Sequence, residues 1–242
     1  MAIKISTTQE KSRVHGIKCL VYAKAGLGKT MLSATAPAPI ILSAESGLLS
    51  LHESNIVRVY GANAPGISYN IPVIEIKTVN DLLEAYNWVV SSYEAKQYYT
   101  VCLDSISEIA EVILSNAKSQ VKDPRQAYGE LIEKMTNTIR SFRDLSGKSV
   151  YFSAKQQFEK DQSTGIQSYN ASMPGSRLAQ ELPYFFDEVF CLRVGKDTQT
   201  QREFRYLQTT PDFQYDAKDR SGALDPMEIP NLTNIFTKIL GA

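Results

Sequence analysis

Residues 17–30 read I-K-C-L-V-Y-A-K-A-G-L-G-K-T, and this stretch decides the fold. Its first six residues are mostly apolar and predict a buried β-strand, while the spacing of residues 30–36 predicts a helix that two prolines then stop. Between them, two glycines and the Lys29-Thr30 pair match a P-loop, in which backbone N–H groups wrap a phosphate. Strand, phosphate-binding turn and helix in this order predict an α/β fold.

The P-loop predicts a site for ATP and Mg²⁺. Lys29 would reach the β- and γ-phosphates, and the Thr30 hydroxyl would bind the metal. The first position of the motif is Ala23 where glycine is usual, and alanine fits there if the backbone does not need a positive φ. The residues predicted to bind the nucleotide are Ala23, Lys24, Ala25, Gly26, Leu27, Gly28, Lys29, Thr30 and Met31.

The rest of the chain alternates between strand and helix patterns. Further strands are predicted at residues 40–43, 56–60, 73–76, 98–103 and 150–154, and helices at residues 80–93, 105–117, 126–145 and 176–181. The crossovers are long enough for parallel pairing. Alternating residues at 188–194 and 203–207 predict antiparallel strands added to the sheet near the C-terminus.

Length and composition favour one soluble domain over residues 1–242, with residues 1–15 as a flexible N-terminal segment. No apolar run is long enough for a membrane span, and the first residues lack the apolar core of a secretory signal, so we expect a cytoplasmic protein. Each of the three cysteines lies in an apolar run, which favours buried free thiols over a metal site.

The net charge counts mildly against nucleic acid as a partner. The chain has 26 basic and 26 acidic residues, which cancel. Phosphate binding draws on clustered lysine and arginine, although a local patch can supply these without a basic average. A nucleic-acid site must therefore be sought in single segments.

Two carboxylates follow predicted strands where a P-loop enzyme would need them. Asp104 closes a strand at the position of a Walker B carboxylate, which holds Mg²⁺. The alternative is a cap on the following helix, although Ser105 could supply that cap. Glu45 lies just past the strand after the P-loop helix, and we predict it as the general base that activates water. The alternative is a solvated loop glutamate.

Together, these segments resemble the RecA core, and more closely the phage nucleotide-binding proteins grouped as an AAA-type ATPase domain family. That group includes the RecA-like single-strand annealing proteins of phages called Sak. The segments that carry the RecA likeness are A-K-A-G-L-G-K-T at Ala23, I-I-L-S-A-E-S-G at Ile40 and T-V-C-L-D-S-I at Thr100. Segments more particular to the group are D-P-R-Q-A-Y-G-E-L at Asp123, M-P-G-S-R-L-A-Q-E-L-P-Y-F-F-D-E-V at Met173 and A-K-D-R-S-G-A-L-D-P at Ala217.

The resemblance implies a RecA-like P-loop ATPase core, with a mostly parallel sheet flanked by helices. It implies action on single-stranded DNA in recombination or annealing, in the cytoplasm of a phage-infected or prophage-carrying bacterial host. It also implies a homo-oligomer, either ring or filament, with a single-strand DNA-binding protein as a candidate partner. No membrane partner is implied.

The resemblance also assigns residues late in the chain. A polar sensor of the γ-phosphate should follow the fourth buried strand, where Gln156 suits hydrogen bonding better than Lys155. Residues 155–174 would form a mobile loop on DNA, and a plain surface hairpin is the equal alternative because acidic residues cancel its charge. The candidates for stacking or phosphate contact are Phe158, Lys160, Tyr169 and Arg177.

Lys218 and Arg220 would complete the ATP site of a neighbouring subunit, and the alternative is a solvated charge cluster.

Two other functions compete with a DNA-stimulated ATPase. One is a switch or loader that uses ATP only to set its assembly state. The other is a small-molecule phosphotransferase, for which we find no arginine-rich lid.

Overall fold

The computed structural model describes residues 5–8, 16–45, 47–160 and 165–241. The flexible segment predicted at residues 1–15 therefore lies outside the described residues, apart from residues 5–8. Nothing in the described helices combines the length and apolar character that a membrane crossing requires.

A mixed sheet of ten strands forms the centre of the described chain. Its order is β10-β8-β7-β1-β5-β4-β2-β3, with β6 paired to β5 and β9 paired to β7. The strands are β1 (Lys18–Ala23), β2 (Pro39–Ser43), β3 (Val73–Glu75), β4 (Thr100–Asp104), β5 (Ser149–Lys160), β6 (Gln167–Ala171), β7 (Glu188–Lys196), β8 (Glu203–Gln208), β9 (Lys218–Asp219) and β10 (Met227–Glu228).

Helices flank this sheet. The α-helices are α1 (Lys29–Leu32), α2 (Glu53–Tyr60), α3 (Val79–Ser91), α4 (Ile106–Gln120), α5 (Pro124–Arg143), α6 (Ser176–Glu181) and α7 (Leu232–Gly241). Short 3₁₀ helices span Ser33–Thr35, Leu48–Leu51, Glu94–Gln97 and Leu182–Phe185. The predicted fold class, a mostly parallel sheet flanked by helices with antiparallel strands near the C-terminus, is confirmed.

The core lies on both faces of the central strands. Along β1, Leu20 and Tyr22 pack with the cluster that includes residues of α3, α4 and α5. Cys19 and Val21 point to the opposite face and pack with residues of α7. This alternation is the two-residue period of a strand that is buried on both faces. The three cysteines are buried and free, and burial raises the pKa of each thiol.

Parallel register aligns the carboxyl ends of four strands at one edge of the sheet. Ala23 of β1 lies beside Lys155 of β5. Ser43 of β2 lies beside Asp104 of β4, and β4 in turn pairs with β5. Residues that follow these strands therefore meet at the edge where the P-loop begins, which is where open α/β sheets place their ligands.

The strand predicted at residues 56–60 is wrong, because these residues belong to α2. Their β-branched residues favour a strand locally, but Ile56 is the one buried residue of α2, so the segment packs on the core as a one-sided helix. The helix ends at Gly61, whose φ of 83° suits glycine. Glu53 in the first turn and Gly61 at the end are the helix signals that this prediction missed.

Two strand predictions near the C-terminal half also need correction. β7 pairs in parallel with β1, so the antiparallel addition begins only at β8. β5 continues to Lys160 instead of ending near residue 154, because its second half pairs with β6 in an antiparallel hairpin. The alternation that suggested antiparallel pairing in β7 comes from its second half, which extends past the buried centre of the sheet.

Glu188 opens β7 as a buried acid and is 1% exposed. Its Oε1 accepts a hydrogen bond from the Ser221 N–H at 3.3 Å, and Asp219 is its partner on β9. Burial, and then the nearby carboxylate of Asp219, raise the pKa of Glu188 from 4.5 to about 8. The folded chain therefore holds a proton on Glu188 at a pH where the unfolded chain has released it.

We expect Glu188→Gln to remove a pH-dependent loss of stability. The stability that protonated Glu188 provides is present below pH 4.5 and is lost as the pH rises towards about 8. In thermal unfolding, the wild type should therefore lose stability relative to the Gln variant between pH 5 and pH 8. Glu203→Gln, at an exposed position on β8, is the matched control. A parallel pH profile for wild type and Glu188→Gln would contradict the argument.

Candidate functional site

The loop between β1 and α1 has the backbone that a P-loop requires. Gly26 and Gly28 have φ values of 79° and 105°, a region that favours glycine. Among the described non-glycine residues, positive φ occurs at Ala38 and Gln201, so Ala23 has an ordinary backbone. Alanine therefore fits the position where the motif usually has glycine.

This loop lines a cavity of about 660 Å³. Leu27 lies apart from the other predicted nucleotide-binding residues, because its side chain packs against the apolar core. The loop residues that line the cavity are Ala23, Lys24, Ala25, Gly26, Gly28, Lys29, Thr30 and Met31. The cavity is large enough for a small-molecule ligand such as a nucleotide.

Lys29 brings a positive charge to this cavity. Its Nζ donates to the carbonyls of Ala23 at 3.1 Å and Lys24 at 3.4 Å. Burial lowers the pKa of Lys29, while the negative charges of Glu45 and Asp104 act in the opposite direction. A partly desolvated cation held between a phosphate-binding loop and two carboxylates suits a ligand that carries its own negative charge.

Asp104 is 1% exposed at the end of β4. Its Oδ2 accepts a hydrogen bond from Thr30 Oγ1 at 2.7 Å, and its Oδ1 accepts one from the Ser153 hydroxyl. Burial raises the pKa of Asp104, and these two hydrogen bonds oppose that shift. The cap of α4 is Ser105, whose hydroxyl accepts from the Glu108 N–H at 3.4 Å, so Asp104 does not serve as the cap.

The oxygen atoms of Thr30 and Asp104 fit Mg²⁺ delivered with a nucleotide. Mg²⁺ prefers oxygen ligands, and it is usually bound through one or two carboxylates together with substrate phosphates and water. No group of three or more His, Cys, Asp or Glu that could hold a metal occurs among the described residues. A Mg²⁺ ion held by Thr30 and Asp104 would take its remaining ligands from a bound phosphate and water.

Glu45 lies just past β2 and also lines the cavity. Its Oε1 accepts a hydrogen bond from the Ser105 hydroxyl at 2.6 Å, and its carbonyl accepts one from Ser43 Oγ at 2.6 Å. The side chain is partly buried. These contacts hold the carboxylate near Lys29, in contrast to a freely solvated loop glutamate.

The two sensor candidates, Lys155 and Gln156, both line the cavity from β5. Lys155 forms an ion pair with Glu108, and its backbone N–H donates to Ser107 Oγ at 2.9 Å. The Gln156 Oε1 lies 4.0 Å from Cys191 Sγ, which is a weak contact. The Gln156 amide is therefore less strongly engaged by its neighbours than the Lys155 ammonium group.

Five residues around the cavity were missed by sequence reasoning: Ser50, Asn55, Arg58, Val59 and Arg205. Asn55 and Arg58 lie on α2, in or beside the segment that was misread as a strand. Arg205 lies on β8, and only the sheet order brings it to the loop. No local signal in the sequence could have linked Arg205 to a P-loop so far away along the chain.

The DNA-contact candidates lie on or near the hairpin of β5 and β6. Phe158 is 65% exposed and faces Tyr169 in the strand register. The Tyr169 ring stacks on Tyr215 with 4.7 Å between ring centroids. Lys160 is exposed, and Arg177 on α6 pairs with Glu181 at 2.9 Å. The described part of the predicted loop is thus an antiparallel strand pair, and residues 161–164 lie outside the described residues.

Lys218 and Arg220 lie away from the cavity of their own chain. Lys218 pairs with Val189 near the start of β7, and its Nζ donates to the Pro183 carbonyl at 2.6 Å. Arg220 pairs with Asp187 at 3.2 Å. The amino end of β7 lies beside the amino half of β1, at the far end of that strand from the P-loop. A role in a neighbouring subunit stays a prediction.

A family model described as an AAA domain matches residues 15–221 of the chain. No curated protein sequence matches it. Among solved structures, a KaiC-like protein from the hyperthermophilic archaeon Pyrococcus horikoshii OT3 matches with a TM-score of 0.41 and 14% sequence identity. That match covers 80% of this chain and 77% of the other.

We expect Ser153→Ala to destabilise the chain because it removes one of the two side-chain donors to the buried Asp104 carboxylate. A lost hydrogen bond to a buried charged group costs about 1–3 kcal/mol. Denaturant unfolding at neutral pH measures this loss. Ser33→Ala is the matched control, because Ser33 is also buried but donates to the neutral Thr30 carbonyl. Equal losses in the two variants would contradict a special role for the charge.

Proposed function

The chain belongs to this family of AAA domains. We propose that it binds ATP with Mg²⁺, hydrolyses the nucleotide and acts on single-stranded DNA. ATP hydrolysis is supported by the site at the carboxyl edge of the sheet. The DNA role is supported by the hairpin that extends from this site and by the resemblance of the sequence to phage RecA-like proteins.

One observation carries the ATPase proposal. At a single edge of the sheet, the Thr30 hydroxyl donates a hydrogen bond to the Asp104 carboxylate. Ser105, which follows Asp104 in the chain, donates a hydrogen bond to the Glu45 carboxylate. Lys29 lies within reach of both negative charges. A cation, a metal-binding pair and a held carboxylate around a P-loop are the parts that phosphoryl transfer to water needs.

Binding and orientation come from the loop. Its backbone N–H groups and the Lys29 ammonium would hold the phosphates, and Thr30 and Asp104 would hold Mg²⁺. When bound, Mg²⁺ neutralises charge on the β- and γ-phosphate oxygens. Gln156, at the same cavity, would hydrogen-bond the γ-phosphate and so distinguish ATP from ADP.

Glu45 would act as the general base. Its carboxylate accepts a proton from water while the water oxygen forms a bond to the γ-phosphorus. The bond from that phosphorus to the bridging oxygen breaks, so the products are ADP and inorganic phosphate. Ser105 donates to Glu45 Oε1 and keeps the carboxylate oriented, which leaves Oε2 as the atom available to take the proton.

The strand β5 supports a link between hydrolysis and DNA. Gln156 lines the cavity on this strand, and Phe158 and Lys160 follow it in the hairpin. An exposed aromatic ring beside a lysine suits a single strand, because bases stack on rings while cations meet the phosphates. Tyr169 and Arg177 would contribute less, since the ring of Tyr169 is stacked on Tyr215 and Arg177 is paired with Glu181.

Assembly into a ring or filament would bring Lys218 and Arg220 to the ATP site of a neighbouring copy. Their distance from the cavity of their own chain is what a trans-acting residue requires. The same proposal covers recombination or annealing in a bacterial host, with a single-strand DNA-binding protein as a candidate partner.

We expect Glu45→Gln to retain nucleotide binding and to lower kcat for ATP hydrolysis by about 10²–10⁴-fold, which is the usual contribution of a general base. Steady-state hydrolysis and equilibrium binding of ADP measure the two properties separately. Glu94→Gln, at an exposed position outside the cavity, is the control. A Glu45→Gln variant that hydrolyses ATP at the normal rate would exclude Glu45 as the base.

We expect single-stranded DNA to stimulate ATP hydrolysis, with a cooperative dependence on protein concentration if subunits share sites. Phe158→Ala should weaken binding to single-stranded DNA, because stacking contributes about 1–3 kcal/mol per base. Tyr93→Ala is the control, because Tyr93 is 83% exposed but lies after α3. Hydrolysis that is indifferent to DNA would instead favour an assembly switch or a phosphotransferase.

A further inference from the structure

Arg205 reaches the P-loop from the antiparallel part of the sheet. Its guanidinium lines the same cavity as Lys29 and Thr30. A Cβ atom placed on Gly28 would lie 3.0 Å from Arg205 Nη1. The guanidinium is therefore in close contact with the backbone of the loop, at a glycine whose φ of 105° already excludes most other residues.

The strand pair of β7 and β8 holds Arg205 in this position. β7 pairs with β1 up to Cys191 and then continues to Lys196, beyond the end of that pairing. β8 pairs with this extension, so that Arg205 lies opposite Val194. Because β7 extends past the carboxyl end of β1, the paired strand β8 lies over the phosphate-binding loop.

Packing on the other face of β8 orients the side chain. Phe204 and Tyr206 share one face of the strand, and Arg205 points to the opposite face, towards the cavity. The Phe204 ring lies over Gly195, where an added Cβ would be only 2.7 Å from the ring. The Tyr206 ring lies near Arg193, 5.7 Å from its guanidinium carbon. These contacts fix β8 without using Arg205.

The charge of Arg205 has no carboxylate partner within the described residues. Among the other cations at the cavity wall, Lys155 pairs with Glu108 and Arg58 donates to Asn55 Oδ1 at 3.1 Å. Burial raises the pKa of Tyr60 to about 12, and the charge of Arg205 acts to lower it. A cation in this setting is available to an anionic ligand.

We propose that Arg205 binds the α- and β-phosphates of the nucleotide held by the P-loop of its own chain. The proposal rests on the proposed function and names a further binding residue for the same site. The backbone of a P-loop cradles these two phosphates, and Gly28, which Arg205 contacts, is part of that backbone. The planar guanidinium can offer two parallel N–H donors to phosphate oxygens, which a lysine cannot do.

Two cations then bind different parts of the triphosphate. Lys29 binds the β- and γ-phosphates from within the loop, and Arg205 binds the α- and β-phosphates from β8. Because Arg205 contacts the loop of its own chain, it supports binding at any protein concentration. Lys218 and Arg220, which lie away from this cavity, could act only on another copy.

The test is the affinity of the full chain for ADP and for a non-hydrolysable ATP analogue, measured by calorimetry at two protein concentrations. Arg205→Ala should raise both dissociation constants by the same factor of about tenfold, as expected for a charge-assisted hydrogen bond. The loss of affinity should be larger than any fall in kcat at saturating ATP. Arg205→Lys should restore part of the affinity, since the charge remains while the paired donors are lost.

Arg202→Ala is the matched control, because Arg202 is exposed just before β8 and lies outside the cavity. Its dissociation constants should equal those of the wild type. Thermal unfolding of each variant checks the fold, and if Arg205→Ala does not fold, Arg205→Lys should still show an intermediate rise in both constants.

Three results would overturn the inference. Unchanged ADP affinity in Arg205→Ala, with or without a fall in kcat, would exclude the α- and β-phosphates as its ligands. A defect that appears only at the higher protein concentration would mean that Arg205 acts between copies. A wild type that binds no nucleotide would overturn the proposed function as well, whereas wild type and Arg205→Ala that bind equally well would overturn only the role of Arg205.

Discussion

The hydrogen bond from the Thr30 hydroxyl to the Asp104 carboxylate joins the start of the P-loop helix to the end of a different strand. It can form only if β1 and β4 end at the same edge of the sheet, which the parallel register through β5 ensures. The same register brings Ser43 beside Asp104, so that the turn after β2 delivers Glu45. The P-loop and the two carboxylates meet because of this alignment.

Burial has opposite consequences for the charges at this edge. It raises the pKa of Asp104 and lowers the pKa of Lys29. Hydrogen bonds from hydroxyl groups oppose the first shift, and nearby carboxylate charges oppose the second. The hydroxyls of Thr30 and Ser153 donate to the Asp104 carboxylate, while the charges of Glu45 and Asp104 favour the charged form of Lys29. A nucleotide with its metal adds charges of both signs to this set, so the groups that stabilise the folded chain are also the groups that would bind the ligand.

The C-terminal strands extend the site in two directions. β7 runs in parallel beside β1 and then carries β8 over the P-loop, which brings Arg205 to the cavity. β5 passes the cavity at Gln156 and continues into the hairpin with β6. The stack of Tyr169 on Tyr215, and of Tyr215 on Arg193, ties that hairpin to β7. The hairpin is therefore packed against β7 as well as continuous with the strand that lines the cavity.

The sequence by itself determined the P-loop, the two carboxylates and the parallel core, because each depends on a local pattern: a glycine-rich turn after an apolar run, or an acid directly after a strand. Only the tertiary structure decided the neighbours of these groups. Strand order and long-range packing determine that residues 53–60 form α2 and that Arg205 lies beside Gly28. They also determine that Lys218 lies away from the cavity. Local propensity does not determine which distant strand will pair with a given strand. Strand register is set by contacts that form between segments far apart in the chain.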